Sequence, residues 1–162
     1  MSLSSKVLYD QFVHDLELKW GCEESKKIAQ IVFNHLFGLS RIDIFLNKSI
    51  ALLDDQLIPI SKRLLKGEPV QYILNQATFY GLSFFVNQFV LIPRQETEEL
   101  VALILEENDH GVQNILDIGT GSGIIALTLR THRPKWNVSG WDLSPEALEI
   151  AVRIANHLNL NI

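Results

Sequence analysis

Residues 115–129 read ILDIGTGSGIIALTL, in which an apolar run meets three glycines within five residues and then a second apolar run. Glycines at such a junction permit left-handed backbone that other residues resist. The reading is a buried strand over 113–118, a tight turn and a helix over 122–131. A strand over 137–142 and a helix over 145–158 follow, with Ser144 placed to cap the helix and Pro145 in its first position. Strand and helix alternating in this order predict the start of a parallel, doubly wound α/β sheet. Two parallel strands cannot bury both faces of a sheet, so the expectation is that Ile162 lies inside a longer protein.

Upstream the texture differs. Leu8, Phe12, Leu16 and Trp20 recur four apart, and Ile28, Ile31, Val32, His35 and Leu36 repeat helical spacing before Gly38. Ser40 followed by Asp43 has capping-box spacing, Asp54 or Asp55 offers a further cap, and Gly67 a stop. Residues 4–67 therefore predict a small helical bundle. At Gly67 and Pro69 the helical pattern ends, and the aromatic, β-branched stretch TFYGLSFFVNQFVLIP, around Gly81 and Asn87, predicts a β-hairpin. After Pro93, the acids Glu96, Glu98 and Glu99 suit the first turn of a helix that carries Leu100, Val101, Ile104 and Leu105 on one face. The expected division is a helical domain over 1–67, a hairpin linker over 68–93 and an α/β domain over 94–162.

Charge and cysteine usage narrow the partners. A formal net charge of -5 argues against the basic footprint that direct nucleic-acid binding needs. The single cysteine, Cys22, excludes an intrachain disulfide and a cysteine-built zinc site. Without a signal-peptide pattern or a membrane-length apolar run, the expected location is the cytoplasm. His14, His35, His110, His132 and His157 are scattered without ligand spacing, so no metal is expected.

The glycine turn presents backbone N–H groups at a helix start, where a ligand can approach if no Cβ intervenes. Gly119, Gly121 and Gly123, with Thr120 and Ser122 between them, form that turn. Two ligand classes compete. Gly121-x-Gly123-x-x-Ala126 fits a dinucleotide pattern, with Asp142 about 20 residues on as a ribose-binding acid. But Asp117, two residues before the first glycine, would repel a pyrophosphate. An acid there suits a ligand with an ammonium group, and S-adenosylmethionine carries one along with its sulfonium charge. Asp142 would accept both ribose hydroxyls in either case.

DIGTGSG and WDLSPEAL together resemble the first two motifs of class I, Rossmann-like, S-adenosylmethionine-dependent methyltransferases. GEPVQYIL (67–74), FYGLSF (79–84) and LIPRQETEELV (91–101), behind a helical bundle, resemble the HemK/PrmC family of protein-(glutamine-N5) methyltransferases. The resemblance runs through essentially the whole chain. It implies methylation of the glutamine amide in the Gly-Gly-Gln loop of peptide chain release factors, and it places Arg94, Thr97 and Glu98 beside the cofactor and substrate cleft. The family's amide-orienting Asn-Pro-Pro-Tyr motif is absent, since Pro59, Pro69, Pro93, Pro134 and Pro145 include no adjacent pair. No catalytic residue is therefore expected in these 162 residues, and this chain alone is expected not to methylate anything. Asn75 and Gln95 stand where the family usually has glycine and proline. The helical bundle reads as the surface that meets the release factor, and the aromatic cluster Phe79, Tyr80, Phe84 and Phe85 as hairpin core or a pocket wall. Two other readings stay open: an adenine-methylating nucleic-acid enzyme, and a non-catalytic fragment that binds cofactor or release factor.

Overall fold

The computed structural model describes residues 2–51, 56–108 and 111–162, which form two compact units, Met1–Leu74 and Asn75–Ile162. The expected caps Asp54 and Asp55, and His110, lie outside the described residues.

The first unit runs β1 (Ser2–Ser4), α1 (Ser5–Trp20), α2 (Cys22–Phe37), α3 (Arg41–Phe45), β2 (Ser49–Ala51), α4 (Leu57–Leu65) and α5 (Val70–Leu74). Glycines punctuate it where the chain must turn left-handed. Gly21, at φ 74°, separates α1 from α2, and Gly38, at φ 64°, closes α2 by donating its N–H to the Asn34 carbonyl at 2.9 Å. The capping box at α3 is present: the Asp43 N–H donates to Ser40 Oγ, and the Ser40 N–H donates to Asp43 Oδ2. The core gathers Phe12, Leu16, Ile28, Val32, Phe33 and Leu64. Phe33 is fully buried and meets Tyr9, Phe12 and Phe37 edge-on, with centroids 5.3, 5.8 and 5.4 Å away. The Trp20 indole N–H donates to the Leu64 carbonyl at 3.0 Å, tying α1 to α4.

Two features depart from expectation. Helical structure does not end at Pro69, because the N–H groups of Tyr72 and Ile73 donate to the Pro69 carbonyl and α5 begins there. Proline is tolerated at a helix start, where its missing N–H would have had no partner. Short β1 and β2 also pair antiparallel, Ser4 opposite Ser49.

The second unit opens with the hairpin β3 (Ala77–Phe79) and β4 (Leu82–Phe84), joined by Tyr80 and Gly81 at φ 49° and 76°. Positive φ at both turn positions matches the twist of paired strands. Phe79 and Phe84 are buried and edge-on at 6.2 Å, so they are hairpin core, while Phe85 lies under the Arg153 guanidinium at 3.9 Å. Asn87 sits beyond the hairpin, in a turn where its side-chain oxygen accepts the Phe89 N–H. Then come α6 (Gln95–Glu107), β5 (Asn114–Ile118), α7 (Ile124–His132), β6 (Asn137–Trp141) and α8 (Pro145–His157). Of the expected face of α6, Val101 and Leu105 are buried, whereas Leu100 is exposed. Strands β5 and β6 pair in parallel, with Asp117 opposite Gly140 and Ile118 opposite Trp141. Ser144 Oγ accepts the Ala147 N–H at 3.1 Å and Pro145 opens α8, as the sequence predicts. Leu116, Ile118 and Trp141 are exposed on one side of the strand pair.

Candidate functional site

The site grows from the carboxyl ends of β5 and β6. Gly119, Gly121 and Gly123 have φ of 76°, 57° and 76°, a region where a side chain adds roughly 1–2 kcal/mol of strain. Their reasons differ beyond that. A Cβ on Gly119 or Gly121 would meet nothing within 4 Å, so bare backbone faces open space at both. A Cβ on Gly123 would lie 3.0 Å from Leu127 Cδ1 and 3.2 Å from Ala151 Cβ. Gly123 therefore serves close packing against α7 and α8.

Hydrogen bonds hold the turn against β6. The N–H groups of Gly119 and Thr120 both donate to the Trp141 carbonyl, at 2.8 and 3.0 Å. The Gly121 N–H donates to Asp142 Oδ2 at 2.8 Å, and the Ser144 N–H donates to Asp142 Oδ1 at 2.9 Å. These backbone donors, Ser144 first and Gly121 next, hold the Asp142 carboxyl below the usual carboxylate range. Each Asp142 oxygen keeps a lone pair for a further donor such as a hydroxyl. On the other side of the turn, Asp117 Oδ2 accepts the Thr120 hydroxyl at 2.7 Å. Thr120 and Ser122 are buried.

Asp117, Gly119, Thr120, Gly121, Ser122, Gly123 and Asp142 are thus brought into one loop cluster, with a carboxylate on either side of unobstructed backbone. Arg94, Thr97 and Glu98 stand at the start of α6, where the Thr97 N–H donates to the Arg94 carbonyl. Glu98 Oε1 accepts the Tyr80 N–H at 2.8 Å and so holds the hairpin turn.

One residue escaped the sequence reading. A Cβ on Gly140 would lie 2.9 Å from Thr120 Oγ1, so glycine in β6 makes the room that Thr120 fills. A glycine inside a strand was the available signal, because it marks close approach of another group. Among the described residues, no three His, Cys, Asp or Glu side chains converge as a metal site, and no helix is long and apolar enough to cross a membrane.

A parallel strand–helix–strand–helix unit with a glycine turn between two acids belongs to the methyltransferase class of α/β domains, and residues 115–162 match the family described as methyltransferase domain. Residues 9–74, almost the whole helical unit, match the PrmC N-terminal domain. Joined in one chain, the two place it in the HemK/PrmC family, and the chain belongs to that family. It is 42% identical over 159 residues to the release factor glutamine methyltransferase of Streptococcus pneumoniae, covering 96% of this chain and 56% of that protein. It is also 42% identical over 143 residues to the Bacteroides thetaiotaomicron protein of the same name, covering 86% and 51%. A third relative of that name, from Lactococcus lactis subsp. lactis, is 44% identical over 137 residues, covering 81% and 50%. The chain spans about half the length of these curated relatives.

Proposed function

We propose that the protein to which this chain belongs transfers a methyl group from S-adenosylmethionine to the glutamine side-chain amide of the Gly-Gly-Gln loop in peptide chain release factors, in the cytoplasm. The observation that carries the reading is the pair of carboxylates flanking open glycine backbone, in a chain that begins with the PrmC N-terminal domain. When bound, S-adenosylmethionine supplies an electrophilic methyl on a positively charged sulfur. The chain's own residues hold it. Asp117 faces the ammonium, Asp142 takes the ribose hydroxyls on its remaining lone pairs, and Gly119 and Gly121 let the ligand lie against the backbone. A dinucleotide fits worse, because its diphosphate would meet the Asp117 carboxylate.

An amide nitrogen is a poor nucleophile, so its transfer step depends on orientation by fixed acceptors. The Asn-Pro-Pro-Tyr acceptors do not occur in these 162 residues, so this chain supplies the donor-binding half and does not turn over alone. Arg94, Thr97 and Glu98 belong to the approach of substrate and cofactor. The helical unit supplies the partner surface. There α3 and its cap leave Ile42, Phe45 and Leu46 exposed at helical spacing, an apolar patch of the kind that protein partners cover.

The whole protein, incubated with methyl-labelled S-adenosylmethionine, should label a purified release factor and not DNA. Absence of label in the release factor refutes the assignment, and label on DNA adenine establishes the nucleic-acid reading instead. Titration calorimetry should show binding of S-adenosylmethionine and none of NAD.

A further inference from the structure

We propose that Thr120 is a positioning residue that acts through Asp117, and that Gly140 is the position that lets it do so. This rests on the reading of Asp117 as the seat of the donor's ammonium group.

Thr120 sits in the middle of the glycine turn, where its type alone marks it as a residue that touches ligand. Its surroundings say otherwise. The residue is only 5% exposed. Its N–H donates to the Trp141 carbonyl, its own carbonyl accepts the Gly123 N–H at 2.8 Å, and its hydroxyl proton goes to Asp117 Oδ2 at 2.7 Å. Every donor of Thr120 is therefore spent inside the protein. A free aspartate turns about its Cβ–Cγ bond, and a carboxylate meant for one cation loses affinity through that freedom. With Oδ2 fixed by the hydroxyl, the Asp117 carboxylate plane is set and Oδ1 is left for the ligand.

Gly140 completes the device. It stands opposite Asp117 in the parallel register, and any Cβ there would come within 2.9 to 3.1 Å of the Thr120 Oγ1, Cγ2 and Cβ atoms. Those atoms belong to a short, buried side chain, so a methyl at 140 displaces it and turns the hydroxyl away from Asp117. The absent side chain of one strand thus orients the carboxylate of its neighbour.

The test compares two ligands by calorimetry on the whole protein. S-adenosylhomocysteine carries the α-ammonium group, whereas 5′-methylthioadenosine keeps the adenosine thioether without the amino-acid arm. Thr120→Val should weaken S-adenosylhomocysteine about tenfold, the scale of one hydrogen bond to a charged group, and leave 5′-methylthioadenosine within about twofold. Thr120→Ser should restore the first affinity, and Gly140→Ala should reproduce the selective loss. Equal weakening of both ligands by Thr120→Val, or no weakening of either, overturns the positioning role. A wild-type protein that binds both compounds equally overturns the ammonium seat at Asp117, and one that binds neither removes the cofactor reading; both outcomes take this proposal with them.

Discussion

Asp142 and Gly121 are 21 residues apart, and the carboxylate of one accepts the backbone N–H of the other at 2.8 Å. The same carboxylate accepts the Ser144 N–H, so one side chain joins the turn after β5 to the start of α8. Asp142→Ala therefore removes the proposed ribose acceptor and frees the glycine turn at once. Affinity for S-adenosylmethionine should fall by on the order of tenfold or more in calorimetry on the whole protein. Asp142→Asn, which keeps one acceptor oxygen, should lose less.

The pH dependence follows from the same bonds. Backbone donors from Ser144 and Gly121 lower the Asp142 pKa in the folded protein. A lowered folded pKa means that the contribution is fully present above the unfolded carboxyl value, about 4, and is lost as pH falls through the folded one. The protection factors for amide exchange at Gly121 and Ser144 should therefore fall below about pH 4, and Asp142→Asn should remove that step.

Glycines of the same turn should separate under substitution. Gly123→Ala places a methyl 3.0 Å from Leu127 Cδ1 and 3.2 Å from Ala151 Cβ at a positive φ, and should cost about 1–3 kcal/mol in denaturant unfolding. Gly121→Ala meets open space, so only backbone strain of roughly 1–2 kcal/mol should appear. Its larger effect should be lost binding of the methyl donor, read by calorimetry.

In the helical unit the fully buried Phe33 holds three other rings edge-on. Phe33→Ala should destabilise that unit by about 3–5 kcal/mol, measured by chemical denaturation followed by circular dichroism.

Phe45 gives the opposite pattern. It is 79% exposed on α3, so Phe45→Ser should change stability by less than about 0.5 kcal/mol. In the whole protein it should raise KM for the release factor with kcat held, because under the proposed function the loss falls on partner binding alone.

Much of this is legible in the residues themselves. Three glycines at positive φ between two apolar runs leave few alternatives to a strand–turn–helix, and Ser40 with Asp43, or Ser144 with Pro145, announce helix starts by their own chemistry. Helix α5 was hidden because proline is a breaker inside a helix and a starter at its end, and spacing does not say which. Three-residue strands such as β1 and β2 are too short for a period of two to show. The bonds of Asp142 to backbone and the fit of Thr120 against Gly140 depend on distances across the parallel register, which no single segment encodes.

Leu116 and Ile118 are 61% and 70% exposed, and Trp141 shares their side of the β5–β6 pair. Three large oily side chains on one side of a strand pair make a sticky plate. Raising ammonium sulfate should drive this chain out of solution early, and dilution or a mild detergent should bring it back. Bench handling of these 162 residues is thus governed by a surface remote in character from the polar glycine loop.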